Sequence, residues 1–151
     1  MPPGEPTLAA VLLKMKPARK KREPRQHVTG IGGVFFKSQN PAGLAKWYRK
    51  HLGITSKDGC ADFSWREKDR PKRIGRTVWA LFPSDTDYFK PSASPFMLNY
   101  RVANLDRMLQ QLRRGGVVVE KVESFNYGRF AWISDPEGNR IELWEPKTVS
   151  G

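Results

Sequence analysis

The feature that most constrains the fold is an internal repeat, because the order of predicted elements in the first half returns in the second. Asn40 and Asn104 each precede a stretch with the apolar spacing of an amphipathic helix, and they lie 64 residues apart. A unit of this size cannot close a hydrophobic core alone. The repeat therefore predicts an α+β fold in which two tandem βαβββ modules form a curved mixed sheet around a pocket, with the helices outside.

Turn and capping residues set the boundaries of the predicted elements. The predicted strands are 31–37, 54–57, 61–67 and 77–82 in the first module, and 96–102, 117–122, 127–134 and 140–144 in the second. The first predicted helix begins after Asn40, ends at Gly53 and has an apolar face of Leu44, Trp47, Tyr48 and Leu52. The second runs over 104–114 and stops at two glycines. Residues 83–95, rich in Pro, Ser and Asp, are predicted to be a linker.

The N-terminal segment differs in composition from the rest of the chain. Residues 1–27 contain five prolines, seven Lys or Arg and two Glu, within a chain of formal net charge +12. We predict a disordered basic tail over 1–27, a domain over 28–147 made of modules 28–83 and 96–146, and a tail over 148–151. Met15 is a second possible start. Nucleic-acid binding is not expected except through this tail. Even there it is disfavoured, because the basic run from Lys14 to Arg25 contains no aromatic residue to stack on bases.

The cysteine content and the hydropathy of the chain indicate in which cellular compartment the protein is expected. Cys60 is the single cysteine, which excludes an intramolecular disulfide and a cysteine-based metal site. The longest apolar run, Leu8–Leu13, is shorter than the ~20 residues that a membrane span needs. Its positive charge follows rather than precedes it, the wrong order for a secretory signal. We expect a cytoplasmic protein with no membrane partner.

Two stretches resemble the vicinal oxygen chelate superfamily, which includes glyoxalase I, extradiol dioxygenases and bleomycin- and fosfomycin-resistance proteins. Residues 40–54 (NPAGLAKWYRKHLGI) are similar to its helix ending in W/F-Y-x-x-x-L-G. Residues 127–146 (YGRFAWISDPEGNRIELWEP) are similar to its closing glycine-strand, D-P-x-G-N turn and final I-E-L strand. The resemblance covers about 28–146. It implies the fold above, with a homodimer as one possible assembly, and says less about the reaction because this fold hosts many.

The resemblance also implies four metal-ligand positions, which hold His, Gln or Glu in metal-dependent members. They fall on Gly33, Ala80, Met97 and Glu142. Glycine and alanine offer no ligand atom, and a thioether is too soft for the divalent ions involved. We therefore expect no metal and no other cofactor. Of the two histidines, His27 precedes the first strand, and His51 suits the helix C-terminus as a cation.

Alternation along the strands predicts which side chains face the enclosed cavity. Glu142 is the candidate catalytic residue, because it is the only acidic group at the four implied positions. The candidate ligand-binding residues are Phe35, Phe63, Trp65, Phe82, Met97, Asn99, Arg101, Phe130, Trp132 and Trp144. A cavity lined in this way suits small amphipathic ligands. The alternative is that the aromatic side chains simply fill the core between the modules.

Three classes of function remain open, and the first is favoured. The first is a small-molecule-binding protein without a complete metal site, serving ligand sequestration or resistance. The second is an enzyme of the lyase, isomerase or dioxygenase type, with or without a divalent metal. In that enzyme Glu142 acts as general base beside Asn99 and Tyr127, while Arg101 or Arg129 holds an anion. The third is nucleic-acid binding through the basic tail.

Overall fold

The computed structural model describes residues 4, 7–15 and 24–148. Three helices lie within this part of the chain: α1 (Leu8–Lys14), α2 (Pro41–Leu52) and α3 (Leu105–Arg114). Seven strands form one sheet: β1 (Val28–Ser38), β2 (Cys60–Arg66), β3 (Ile74–Pro83), β4 (Phe96–Val102), β5 (Lys121–Phe125), β6 (Gly128–Ser134) and β7 (Arg140–Pro146). No helix of the described residues is long and apolar enough to cross a membrane.

The strand order β2-β3-β1-β4-β7-β6-β5 places the two modules side by side in one sheet. β1 and β4 pair antiparallel at the centre, and each pairs parallel with the last strand of its own module. Equivalent positions therefore face each other across the β1–β4 seam. The prediction of an α+β fold with a curved mixed sheet shared by both modules is confirmed.

Helix α2 begins and ends where its caps predict. The Asn40 side chain accepts a hydrogen bond from Gly43 N–H, and Gly53 ends the helix with a φ of 67°. Leu44 and Tyr48 pack on the convex side of the sheet in a cluster with Phe36, Trp79 and Leu81. The predicted apolar face is wrong for Trp47 and Leu52, which are 50% and 60% exposed. Only one narrow side of the helix reaches the sheet.

Helix α3 carries the larger core. Asn104 caps it by accepting from Arg107 N–H. Leu105, Met108 and Leu109 are buried in a cluster that also contains Ala131 and other convex-face residues of β4, β6 and β7. Burial of one such side chain is worth about 1.5–3 kcal/mol, so this cluster holds the second module together.

Two predicted strands are wrong. Residues 54–57 make only an isolated bridge between Lys57 and Cys60, because the Asp58-Gly59 turn leads at once into β2. The first module therefore has one strand fewer than the second. Val117 and Val119 pack against the core under α3 instead of pairing, so β5 starts only at Lys121.

The predicted disordered tail falls partly on residues 1–3, 5–6 and 16–23, which lie outside the described residues. Within the described part, Leu8–Lys14 forms α1 with Thr7 as its cap, and none of its residues is buried. Gln26 also contacts the domain, because its backbone N–H and carbonyl bond the two ends of the Gln111 side-chain amide at 2.9 and 3.0 Å.

Candidate functional site

The predicted linker over 83–95 is part of the concave face rather than a spacer. Phe89 is completely buried in a cluster with Phe35, Ala80 and Met97. Phe82 packs between Phe35 and Phe89, at centroid distances of 5.5 and 5.1 Å. The first-module half of the concave face is therefore filled by rings. At this end the aromatic side chains fill the core, as in the alternative to a ligand cavity given above.

Glu142 lies on β7, between Asn99 of β4 and Trp132 of β6, and is 2% exposed. Its Oε1 accepts from Asn99 Nδ2 at 2.6 Å, and its Oε2 accepts from Trp132 Nε1 at 3.0 Å. The Tyr88 hydroxyl donates a further hydrogen bond to Oε2. Arg140 ties Tyr88 in place, since its Nη1 donates to the Tyr88 carbonyl at 2.6 Å. The carboxylate is held by three neutral donors.

Burial raises the pKa of Glu142, and the hydrogen bonds from Tyr88, Asn99 and Trp132, followed by the charge of Arg140, offset part of that rise. The pKa of Tyr88 is raised as well, first by burial and then by the neighbouring Glu142 charge. Tyr88 therefore remains a hydroxyl donor to the carboxylate across the physiological range.

Arg101 occupies the opposite end of β4 from Met97 and is only 8% exposed. Its guanidinium lies 5.6 Å from the ring centroid of Trp65 and 5.0 Å from that of Trp144. No hydrogen bond or ion pair from the described residues reaches the guanidinium, and its Nε is buried without a partner. Burial lowers the pKa of Arg101, while the charge of Glu67 opposes that shift.

Glycines in β1 and β3 make room for these side chains. A Cβ on Gly30 or Gly75 would collide with the Trp65 ring, and a Cβ on Gly32 would collide with Asn99. Trp65 is fixed from its other edge, since its Nε1 donates to Thr77 Oγ1 at 2.8 Å. The glycine-rich start of β1 lets large side chains lie flat over the sheet.

A row of rings leads from Arg101 to the surface. Trp144 stacks on Phe130 at 5.8 Å, and Phe130 meets both Phe125 and Tyr127 edge-on. Phe125 and Tyr127 stack on each other at 5.5 Å, and Tyr127 is 61% exposed. Trp144 Nε1 donates to the Tyr127 carbonyl at 3.2 Å, which anchors the β5–β6 hairpin to β7.

The predicted site residues fall into three groups. One group packs around Phe89: Phe35, Phe82 and Met97. A second surrounds the carboxylate: Glu142, Asn99 and Trp132. A third surrounds the guanidinium: Arg101, Trp65, Trp144 and Phe130. Phe63 joins none of them: it is 48% exposed on β2, with no ring contact among the described residues.

Sequence reasoning missed Tyr88 and Phe89. Both lie in a segment whose prolines and serines indicate a linker, and the adjacent aromatic pair Tyr88-Phe89 is the only signal of a buried role. Phe125 was missed because the predicted strand ended at residue 122. Arg129, considered as an anion ligand, pairs instead with Asp106 at 2.9 Å.

The four implied metal-ligand positions do not bring several ligand atoms together at one point. Ala80 and Met97 lie under Phe89, and Gly33 lies under the Phe35 ring. Among the described residues, no group of three or more His, Cys, Asp and Glu side chains could hold a metal ion. His51 lies on the outer surface of α2, with its ring 5.0 Å from Trp47, and His27 is exposed before β1.

Comparison with known proteins identifies the fold. No protein-family model matches the sequence, and no curated protein does. Among solved structures, methylmalonyl-CoA epimerase from Mycobacterium tuberculosis is similar, with a TM-score of 0.55 and 22% identity over 85% of this chain and 95% of that chain. A variant of methylmalonyl-CoA epimerase from Streptomyces coelicolor, in complex with 2-nitronate-propionyl-CoA, gives a TM-score of 0.59 and 16% identity over 83% and 99%. The chain therefore has the same fold as these epimerases.

Proposed function

We propose that this protein binds a small organic molecule on the concave face of the sheet, at the end formed by Asn99, Arg101 and Trp144. Two buried polar atoms carry the proposal: Asn99 Oδ1 and Arg101 Nε have no hydrogen-bond partner within the described part of the chain. Buried polar groups in native proteins are nearly always hydrogen-bonded, and leaving one unsatisfied costs about 1–3 kcal/mol. A bound molecule would provide the missing partners.

The surroundings of these two atoms support the same proposal. They lie on one face of β4, two residues apart, beside the row of rings that ends at Phe125 and Tyr127. An apolar wall with a few convergent polar groups is the usual composition of a small-molecule site. A protein of the same fold has been crystallised with an organic ligand, 2-nitronate-propionyl-CoA.

We further propose that binding requires no divalent metal. Glu142 is the only oxygen donor at the four implied positions, and both of its oxygens already accept hydrogen bonds. A divalent ion needs several oxygen or nitrogen ligands at one point, and Phe89 covers the two neighbouring positions Ala80 and Met97. The function that best combines these observations is ligand binding or sequestration.

One observation favours catalysis as a second candidate function. A buried carboxyl group whose pKa is raised by burial is suited to general acid–base work near neutral pH. Glu142 would serve as the base only after the Tyr88 hydroxyl leaves Oε2. A Tyr88→Phe variant removes that donor and leaves Trp132 Nε1 as the remaining donor to Oε2, so catalysis predicts a change in turnover, whereas pure binding predicts none.

Native mass spectrometry of freshly purified full-length protein tests the main proposal, with and without a chelator. We expect a retained small molecule whose mass survives the chelator, and its loss in Trp144→Ala. Trp47→Ala, at an exposed tryptophan of α2, is the matched control and should retain it. A stoichiometric divalent metal whose removal releases the ligand would contradict the proposal.

A further inference from the structure

Arg101 carries a buried charge that has no hydrogen-bonded or ion-paired counterpart among the described residues. A buried guanidinium normally forks onto a carboxylate, because desolvating the charge without a partner is costly. Here Glu67 acts only through its charge, and two indoles flank the group. Cation–π contacts of this kind hold the plane of the guanidinium but leave its N–H donors unused.

We infer that the ligand is a small monoanionic carboxylate with a flat apolar portion, bound by Arg101 between Trp65 and Trp144. The inference rests on the function proposed above and names its ligand class. The carboxylate would accept from the N–H fork, and the flat portion would lie along the rings of Trp144 and Phe130, which stack 10° from parallel.

The charges around the site favour a monoanion over a phosphate. Among the described residues, Arg101 is the cation on this half of the face that has no ion pair. Arg129 pairs with Asp106, Arg140 with Glu120 and Lys121 with Glu123, and Lys37 lies over Phe89 at the other end of the face. Glu142, which lies on β7 opposite Asn99 of β4 and accepts a hydrogen bond from its amide, would repel a second negative charge. One guanidinium therefore balances one carboxylate.

The indole N–H signals in the NMR spectrum of the full-length protein report where a probe binds, because they shift when a probe lies next to the ring. The five tryptophans are Trp47, Trp65, Trp79, Trp132 and Trp144. Trp65 and Trp144 are hydrogen-bonded at the proposed site, whereas Trp47 is exposed on α2 and Trp79 packs under α2 on the convex side. Tryptophan-to-phenylalanine variants assign the signals.

The experiment titrates 2-naphthoate and its neutral counterpart 2-naphthamide. We expect 2-naphthoate to shift the Trp65 and Trp144 signals and not those of Trp47 and Trp79, and 2-naphthamide to bind about tenfold or more weaker. Arg101→Met should weaken 2-naphthoate by about ten- to a hundredfold and remove the preference over the amide. Arg101→Lys should recover only part of the loss, because the ammonium lacks the planar fork.

Lys37→Met is the matched control, because Lys37 is the equivalent position of the first module and also lies over a ring. It removes the same charge and should leave 2-naphthoate affinity within about twofold. If both probes shift Trp144 equally, or Arg101→Met binds 2-naphthoate as well as the parent does, the anion assignment is wrong while binding on the concave face stands. If neither probe moves Trp65 or Trp144, both proposals fall. The comparison of the two probes on the parent protein decides the matter even if Arg101→Met does not fold.

Discussion

At the scale of single residues, the site is decided by which buried groups have partners. Glu142 has three donors and no ion pair among the described residues, so its ionised form is solvated by dipoles rather than by a countercharge. Arg101 shows the reverse arrangement, since it has aromatic neighbours and no acceptor among the residues that the structure describes. Two buried ionisable groups on one face are thus held apart instead of paired, and the proposed ligand would bind the cation of the two.

The raised pKa of Glu142 predicts how its contribution to stability depends on pH. The folded state binds this proton more tightly than the unfolded state, so the stabilisation by Glu142 is largest below the ordinary pKa of 4.5. It is lost as the pH rises from 4.5 through the folded pKa. The free energy of unfolding of the parent minus that of Glu142→Gln should therefore fall over this window, as measured by urea denaturation at several pH values. A difference that rises with pH would contradict the raised pKa.

Gly32→Ala tests the close packing over β1. The added Cβ would collide with Asn99 and would lie 2.9 Å from Arg101 Cγ and 3.1 Å from Trp144 Cε3. Overpacking of this kind costs about 1–3 kcal/mol in the free energy of unfolding. Gly115→Ala is the control, since Gly115 has a φ of −81° and its nearest neighbour would be 3.4 Å away. The control should change stability by about 1 kcal/mol or less, and equal effects of the two substitutions would argue against the packing described.

At the scale of elements, the segment over 83–95 has the largest effect on the site. It connects β3 to β4 across the concave face. Phe89 packs there against Ala80 and Met97, and the Tyr88 hydroxyl donates to Glu142. The two modules consequently present different side chains on the concave face. The first has Phe35 and Ala80 where the second has Asn99 and Glu142, so one half of the face is filled and the other carries the polar groups.

Phe89→Ala should show that this segment is part of the core. Removing a fully buried phenyl ring typically costs about 3–5 kcal/mol, since the cavity left behind is not refilled. Phe63→Ala, at a half-exposed phenylalanine of β2, should cost less than about 1 kcal/mol. Thermal or chemical unfolding of both variants makes the comparison. A small effect at Phe89 would mean that the segment is a linker after all.

At the scale of the whole molecule, the seam between β1 and β4 makes the modules one cooperative unit. The seven strands form one continuous sheet, with β2 at one edge and β5 at the other, and neither module forms a separate sheet. The α2 and α3 cores lie on the same convex side of that shared sheet. Loss of one core should therefore unfold both.

Leu105→Ala tests this cooperativity, because Leu105 is completely buried under α3 in the second module. We expect a loss of about 2–5 kcal/mol and a single transition, with tryptophan fluorescence and far-ultraviolet circular dichroism superimposed. Leu52→Ala, at an exposed leucine of α2, should leave the midpoint nearly unchanged. Two separate transitions in Leu105→Ala would indicate modules that fold independently.

The sequence by itself determined the parts of the fold that depend on neighbours along the chain. The Asn40 and Asn104 caps act within a single helical turn. Asp135 closes the turn before β7 by accepting from Glu137 N–H and Asn139 N–H at 2.9 Å each. Alternation in β6 turns Ala131 toward the helix, because successive side chains of a strand point to opposite faces. These signals are local, so they can be read before the fold is known.

Only the tertiary structure decided which distant groups meet. Nothing in the spacing of Trp65, Arg101 and Trp144 along the chain indicates that two indoles would flank one guanidinium. The same holds for Tyr88, which reaches Glu142 from 54 residues away through a segment that has linker composition. Such contacts depend on strand order and on the volume left above the sheet, and neither leaves a periodic trace in the sequence. The prediction of Glu142 came from the family resemblance and that of Arg101 from strand alternation, whereas only the packed sheet shows that this arginine has no hydrogen-bond or ion-pair partner among the described residues.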